Sequence, residues 1–150
     1  MIRTTTPLLL AVLLPLLSGC PFTISSADLE GTIGGEAWVL EQGEAWHDEA
    51  GGTYALELYP ELYVDCLTPP SGVSHLTVDL PDEVGEYELG EAGFTVVFVA
   101  WEDGGKVEYD PVQARAEVLE IDGAHLVAGV HARHSDAHDV DGQFDVPMCE

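Results

Sequence analysis

The chain has 150 residues, about one domain's worth. It carries 28 Asp and Glu against 4 Lys and Arg, a formal net charge of -24, yet 46% of its residues are hydrophobic. The apolar share excludes a wholly disordered acidic tail. The charge argues against a nucleic-acid partner, which needs cations to meet phosphates.

Met1-Ile2-Arg3 is a short basic start. The run PLLLAVLLPLL from Pro7 to Leu17 is apolar and about 11 residues long, which suits a signal-peptide core and is too short to span a bilayer as a helix. It ends in Leu17-Ser18-Gly19-Cys20, and LLSGC resembles the lipobox of bacterial lipoproteins. The resemblance implies a diacylglycerol on Cys20, cleavage before it, and acylation of the new amino group. The competing reading is an ordinary secreted protein whose signal happens to end at a cysteine. Two or three acyl chains hold a protein stably where one is marginal. Position 21 is proline rather than the aspartate of an inner-membrane retention signal, which favours an outer membrane. The expected organisation is a removed signal peptide at 1–19, the lipidated cysteine and a tether at 20–31, and a β-rich domain at 32–150. Processing leaves 3 basic and 28 acidic side chains, whose self-repulsion weakens as salt screens it.

Beyond the tether, short apolar segments are punctuated by Gly, Pro and Asp, as strands are. Ile33 to Leu40 is the first expected strand, with Trp38 inside it. Glu41 to Gly52 reads as a polar, hairpin-like stretch carrying Trp46. Thr53 to Tyr59 alternates, with Tyr54, Leu56 and Leu58 on one face. Pro69-Pro70 marks a rigid turn. Val73 to Leu80 puts Leu76, Val78 and Leu80 inward and His75, Thr77 and Asp79 outward. Tyr87 and Leu89 form a short strand. FTVVFVAW, Phe94 to Trp101, is apolar on both faces and is the candidate for a central strand, or for one that meets a second layer on each side. Glu102-Asp103-Gly104-Gly105 is a hairpin turn leading to Lys106–Tyr109.

Val112 to Ile121 has an inward series, Ala114, Ala116 and Val118, that slips to Leu119 and Ile121, the mark of a β-bulge or a twist. Asp122-Gly123 signals another hairpin, after which Leu126, Ala128, Val130 and Ala132 face inward. The last strand, Val140 to Met148, groups Phe144, Val146 and Met148. Eight or nine antiparallel strands predict an all-β fold, a β-sandwich or a partly closed barrel.

The motifs GTIGGEAW at 31–38, VGEYELG at 84–90, ARAEVLEIDGAHLVAGVHARH at 114–134 and VDGQFDVP at 140–147 follow the lipobox in that order. The succession resembles small bacterial β-rich lipoproteins of unassigned function. It covers about two-thirds of the mature chain and implies the fold, but no chemistry. The departure is the last turn, HARHSDAHDVD, in place of a plain polar loop.

After lipidation two cysteines remain, Cys66 and Cys149, and in an oxidising compartment an even pair predicts a disulfide. Closing a loop of about 84 residues is worth on the order of 4–5 kcal/mol at best. A buried thiol pair and soft metal ligands are the alternatives. Neither cysteine lies in a CxxC pattern, which argues against redox catalysis.

The chemically dense stretch is 131–141, with His131, His134 and His138 among Asp136, Asp139 and Asp141. Imidazole and carboxylate are ordinary ligands for Zn, Ni, Cu(II) or Fe, so a turn that doubled back would make these six a metal site. Against that, His131 and His134 are an odd number apart and point to opposite faces of a strand. A solvated hairpin tip is the plainer reading. The aspartates lack EF-hand spacing. No cofactor is expected beyond a weakly held divalent cation.

GxSxG, HExxH and a glycine-rich phosphate loop are all absent, so no enzyme is expected. The three tryptophans and five tyrosines read first as packing rings and second as the lining of a ligand groove, with Trp101 at a rim. The sequence therefore predicts a lipid-anchored, non-catalytic cell-envelope protein with an acidic surface, whose partners are the membrane through Cys20 and an envelope protein. The alternatives are a metal-binding or metal-sensing lipoprotein using 131–141, and an extracytoplasmic small-molecule or glycan binder using surface aromatics.

Overall fold

The structure, a computed structural model, describes residues 23–64 and 66–150; the expected signal peptide and the expected lipidation site Cys20 lie outside the described residues. It is all β, with strands β1 (Glu30–Ile33), β2 (Glu36–Val39), β3 (Gln42–Asp48), β4 (Thr53–Tyr59), β5 (His75–Pro81), β6 (Gly85–Glu88), β7 (Thr95–Glu102), β8 (Gly105–Tyr109), β9 (Gln113–Ile121), β10 (His125–Ser135) and β11 (His138–Cys149). Nine of them form a curled sheet in the order β6-β9-β10-β11-β3-β4-β5-β7-β8. The sheet makes a half-barrel whose edges are β6 and β8. Of the two expected architectures, the partly closed barrel is the one observed. It is mixed rather than purely antiparallel, because β11 joins β3 in parallel at Met148↔Ala45 and Cys149↔Trp46.

Eleven strands replace the expected eight or nine for two reasons. Ile33–Leu40 is not one strand: Gly34 (φ 66°) and Gly35 (φ 77°) supply the left-handed pair of a tight hairpin, so Ile33 faces Glu36 across β1 and β2. Glu41–Gly52 is not a polar excursion either. Most of it is β3, whose core-facing residues are the small Gly43 and Ala45, opposite Leu58 and Leu56 of β4. The sheet also takes up chain within the expected tether. Asp28 bridges Gln143, and Leu29 is fully buried in the core.

The alternations hold elsewhere. Tyr54, Leu56, Leu58, Leu76, Val78, Leu80, Leu126, Ala128, Val130, Ala132, Phe144 and Val146 all enter one core, with Phe94 and Phe98 its largest members. The slip in β9 is a bulge at Leu119: Val127 pairs with Glu120, but Ala128 pairs with Val118. The β7–β8 turn places Asp103 (φ 51°) and Gly104 (φ 77°) in left-handed conformations. Asp122 caps its own turn by accepting the backbone N–H of Ala124 and of His125 through Oδ1.

The two-sided strand β7 is not central but lies next to the edge strand β8. Its second apolar face is covered by the loop 60–74. Alternation puts Glu44, Glu57, Tyr59, His75 and Val99 on the outer face of β3, β4, β5 and β7. Glu44, Tyr59 and Val99 are nonetheless buried. Tyr63 of the loop packs edge-on against Tyr59 at 5.3 Å, and the Tyr59 ring stacks on His75 at 4.6 Å. The expected disulfide Cys66–Cys149 pins this loop to the end of β11, with a Cα–Cα separation of 5.5 Å.

The segment 27–32 runs along β11 so closely that it demands glycine on both sides. A Cβ on Gly31 would stand 2.0 Å from the carbonyl oxygen of Asp139, and one on Gly142 would stand 2.5 Å from that of Asp28. Backbone cannot step aside as a side chain does. Gly31→Ala is therefore expected to lower the unfolding free energy by about 1–3 kcal/mol, read from urea denaturation. An unchanged midpoint would mean that β1 does not hold to β11 as described.

Candidate functional site

The strand geometry divides the His/Asp patch between two faces. On the outer face of β10 and β11, His131 lies across from Asp141, with Nδ1 3.8 Å from Asp141 Oδ1 and Nε2 3.8 Å from Asp139 Oδ1. Asp139 is engaged by Arg133 at 2.8 Å, Asp136 pairs with the same guanidinium, and Asp141 accepts the Ser25 N–H at 2.9 Å. On the other face are His134 and His138, with ring centroids 5.8 Å apart. A register shift between Arg133 and Ser135 sets His134 at an irregular point, where Nδ1 lies 2.7 Å from the carbonyl oxygen of Asp110. His138 is 4% exposed and packs against Tyr109 at 4.1 Å and Phe98 at 5.7 Å. The six residues therefore do not converge on one point. Among the described residues, ligand-type atoms of three side chains approach within 4.8 Å of one another elsewhere, at Glu44, Cys66 and Cys149.

The electrostatics of the two histidine ends differ in sign. Burial holds His138 below the ordinary histidine value; repulsion from His134 adds to this and attraction by Glu102 opposes it. Its Nε2 is buried with no hydrogen-bond partner among the described residues. At the far end of β10, the hydrogen bond from His125 to Asp145, 2.8 Å long, raises the His125 pKa, and the Asp145 charge adds to it.

A cleft opens where the β1–β2 hairpin, the loop 60–74 and the end of β7 meet. Its volume is about 310 Å3, and Trp38, Trp101, Pro60, Gly72, Ser74 and Glu36 are among its walls. Trp38 is in the core, and its indole N–H donates to the Ser74 carbonyl at 3.3 Å. Trp101 faces outward by alternation and is 43% exposed. Its indole lies over Gly72 (φ 76°), where a Cβ would touch the ring at 3.7 Å. The backbone N–H of Trp101 donates to Ser74 Oγ at 2.9 Å. Trp38 follows the first reading of the aromatics, as a packing ring, whereas Trp101 departs from it and stands exposed at the cleft. The wall residues Pro60, Gly72 and Ser74 carry no sequence signal of their own, because the loop brings them to Trp38 and Trp101 from far along the chain, Ser74 lying 36 positions from Trp38 and 27 from Trp101.

The remaining surface is strongly anionic. The three described Lys and Arg side chains are all engaged by carboxylates: Lys106 by Glu108 at 2.6 Å, Arg115 by Glu86 at 2.5 Å, and Arg133 by Asp139. Among the described residues no helix is long and apolar enough to cross a membrane. No protein-family model, curated protein or solved structure matches the chain.

The two shifted histidines predict opposite pH dependences. His138 is neutral in the fold and gains a proton more easily once unfolded. Its contribution is present above about pH 6.5 and lost as the pH falls toward its folded value. His125 binds its proton more tightly when folded. Its contribution is present below about pH 6.5 and lost as the pH rises through its folded value. NMR titration of the imidazole protons should give a midpoint below 6.5 for His138 and above 6.5 for His125. The reverse order would refute both environments.

Proposed function

We propose that the protein is a lipid-anchored, non-catalytic binding domain of the bacterial cell envelope. Its acyl chains are attached at Cys20, and its recognition surface is the cleft between Trp38 and Trp101. The carrying observation is the half-exposed indole of Trp101, lying against Gly72 at a cleft of about 310 Å3. An aromatic face left in water beside polar groups suits a flat neutral ligand such as a sugar ring, whose C–H face packs on the indole while its hydroxyls reach Glu36 and the loop backbone. The dense negative charge disfavours anionic ligands. The lipobox supports the anchor, and the position of Pro21 supports an outer membrane.

Two experiments test the two halves of this reading. Cys20→Ser is expected to move the protein from the membrane to the soluble fraction; a variant still sedimenting with membranes contradicts the anchor. Titration with neutral oligosaccharides is expected to shift the tryptophan fluorescence of the wild type, and Trp101→Ala is expected to weaken binding about tenfold or more. No shift at millimolar sugar, or equal binding by the variant, contradicts the cleft.

A further inference from the structure

We propose that Glu44, Cys66 and Cys149 form a zinc site when the disulfide between the two cysteines is reduced. Glu44 lies on the outer face of β3 beneath the loop 60–74 and is fully buried. Its Oε2 accepts the Cys66 N–H at 2.5 Å and stands 4.0 Å from Cys149 Sγ. One donor atom from each of the three residues falls within 4.8 Å of the others. A carboxylate placed against two sulfurs is a donor set of the kind zinc takes, whereas calcium and magnesium ask for oxygen alone.

The fold holds these ligands by contacts other than the sulfur–sulfur bond. Cys149 pairs with Trp46 on β3. Cys66 is held by its hydrogen bond to Glu44, and its neighbour in the loop, Tyr63, donates its N–H to Gln42 Oε1 at 2.8 Å. Cys66 is exposed and Cys149 half-buried, so both a reductant and an ion can enter from solvent. With zinc–sulfur bonds of about 2.3 Å in a tetrahedron, the sulfurs need to part by about 1.7 Å beyond their bonded distance. Rotation of the exposed Cys66 side chain can supply that. Three protein ligands leave the fourth position for water on the solvent side.

The chemistry balances as follows. An external dithiol gives two electrons and two protons to the disulfide and is itself oxidised to a disulfide. Cys66 and Cys149 become thiols. Zinc then displaces one proton from each, so the site gains a dication and releases two protons. An external disulfide reverses this by thiol–disulfide exchange: it takes two electrons from the two thiolates and is reduced to two thiols with two protons from solvent, the zinc ion leaves to solvent, and the Cys66–Cys149 bond re-forms. The proposal is independent of the sugar-binding cleft and of the membrane anchor.

The test uses the full chain in detergent, reduced anaerobically with a phosphine, freed of reductant and titrated with Zn2+. Co2+ is titrated in parallel as a spectroscopic probe. One zinc per chain is expected for the reduced protein and none for the oxidised one. Cobalt is expected to give near-ultraviolet thiolate charge-transfer absorption with the visible bands of a four-coordinate site. Glu44→Gln keeps an acceptor for the Cys66 N–H, and is expected to retain both titratable thiols while losing about tenfold or more in zinc affinity. Cys149→Ser is expected to lose the site. Should Glu44→Gln not fold, Glu44→Asp, which withdraws the carboxylate by one methylene, serves as the comparison with the same expected loss. Equal zinc binding by oxidised and reduced protein, wild-type affinity in the Glu44 variant, or loss of the β circular-dichroism spectrum on reduction would each overturn the proposal.

Discussion

The half-barrel depends on a short seam. β6, β9, β10 and β11 form one antiparallel run, and β3, β4, β5, β7 and β8 form another. The two meet in parallel through Met148↔Ala45 and Cys149↔Trp46. So brief a ladder gives little hydrogen bonding to resist splaying. The shared core works against it, and so does the Cys66–Cys149 cross-link, which ties the end of the first run to a loop lying across the second. A self-repelling acidic chain has particular need of such a closure, because unfolding relieves charge crowding. The cross-link acts chiefly by limiting the freedom of the unfolded chain over a sequence separation of 83 residues.

The same loop carries the functional reading. Held at Cys66, it packs over part of the outer face of the second run, at Glu44 and Tyr59, and leaves Gly72 and Ser74 to seat Trp101. The cleft is thus a by-product of how the seam is closed. Buried Glu44 sits where the loop is fastened, accepting the Cys66 N–H beside the disulfide.

Much of the architecture is legible in the sequence, and the reasons for the misses are physical. Strands β4, β5, β10 and β11 each bury one face, so their period-two pattern is plain. β3 hides because its core face is Gly43 and Ala45, small residues that carry almost no hydrophobic signal, while its outer face includes an acid. The Gly34-Gly35 hairpin hides inside what reads as one apolar run. FTVVFVAW is rightly two-sided, yet its place near an edge depends on a loop whose irregular residues have no periodicity to read. The aromatic rim at Trp101 is visible in the sequence, and the walls around it are not. The histidine-rich turn misleads in the opposite way. His131, His134 and His138 are neighbours in the chain, but alternation and the irregular register around His134 send them to opposite sides of the sheet. Glu44 gives no local hint at all, since the backbone N–H that its carboxylate accepts comes from a cysteine 22 positions away.

The closure of the seam is tested most directly by native-state hydrogen exchange on the oxidised and the reduced chain, without added metal. The account predicts that reduction speeds exchange in β3, at residues 148–149 and in the loop-covered parts of β4 and β5, while the β9–β10 ladder keeps its protection. A uniform loss of protection across all strands, or no change at β3 and residues 148–149, would contradict it.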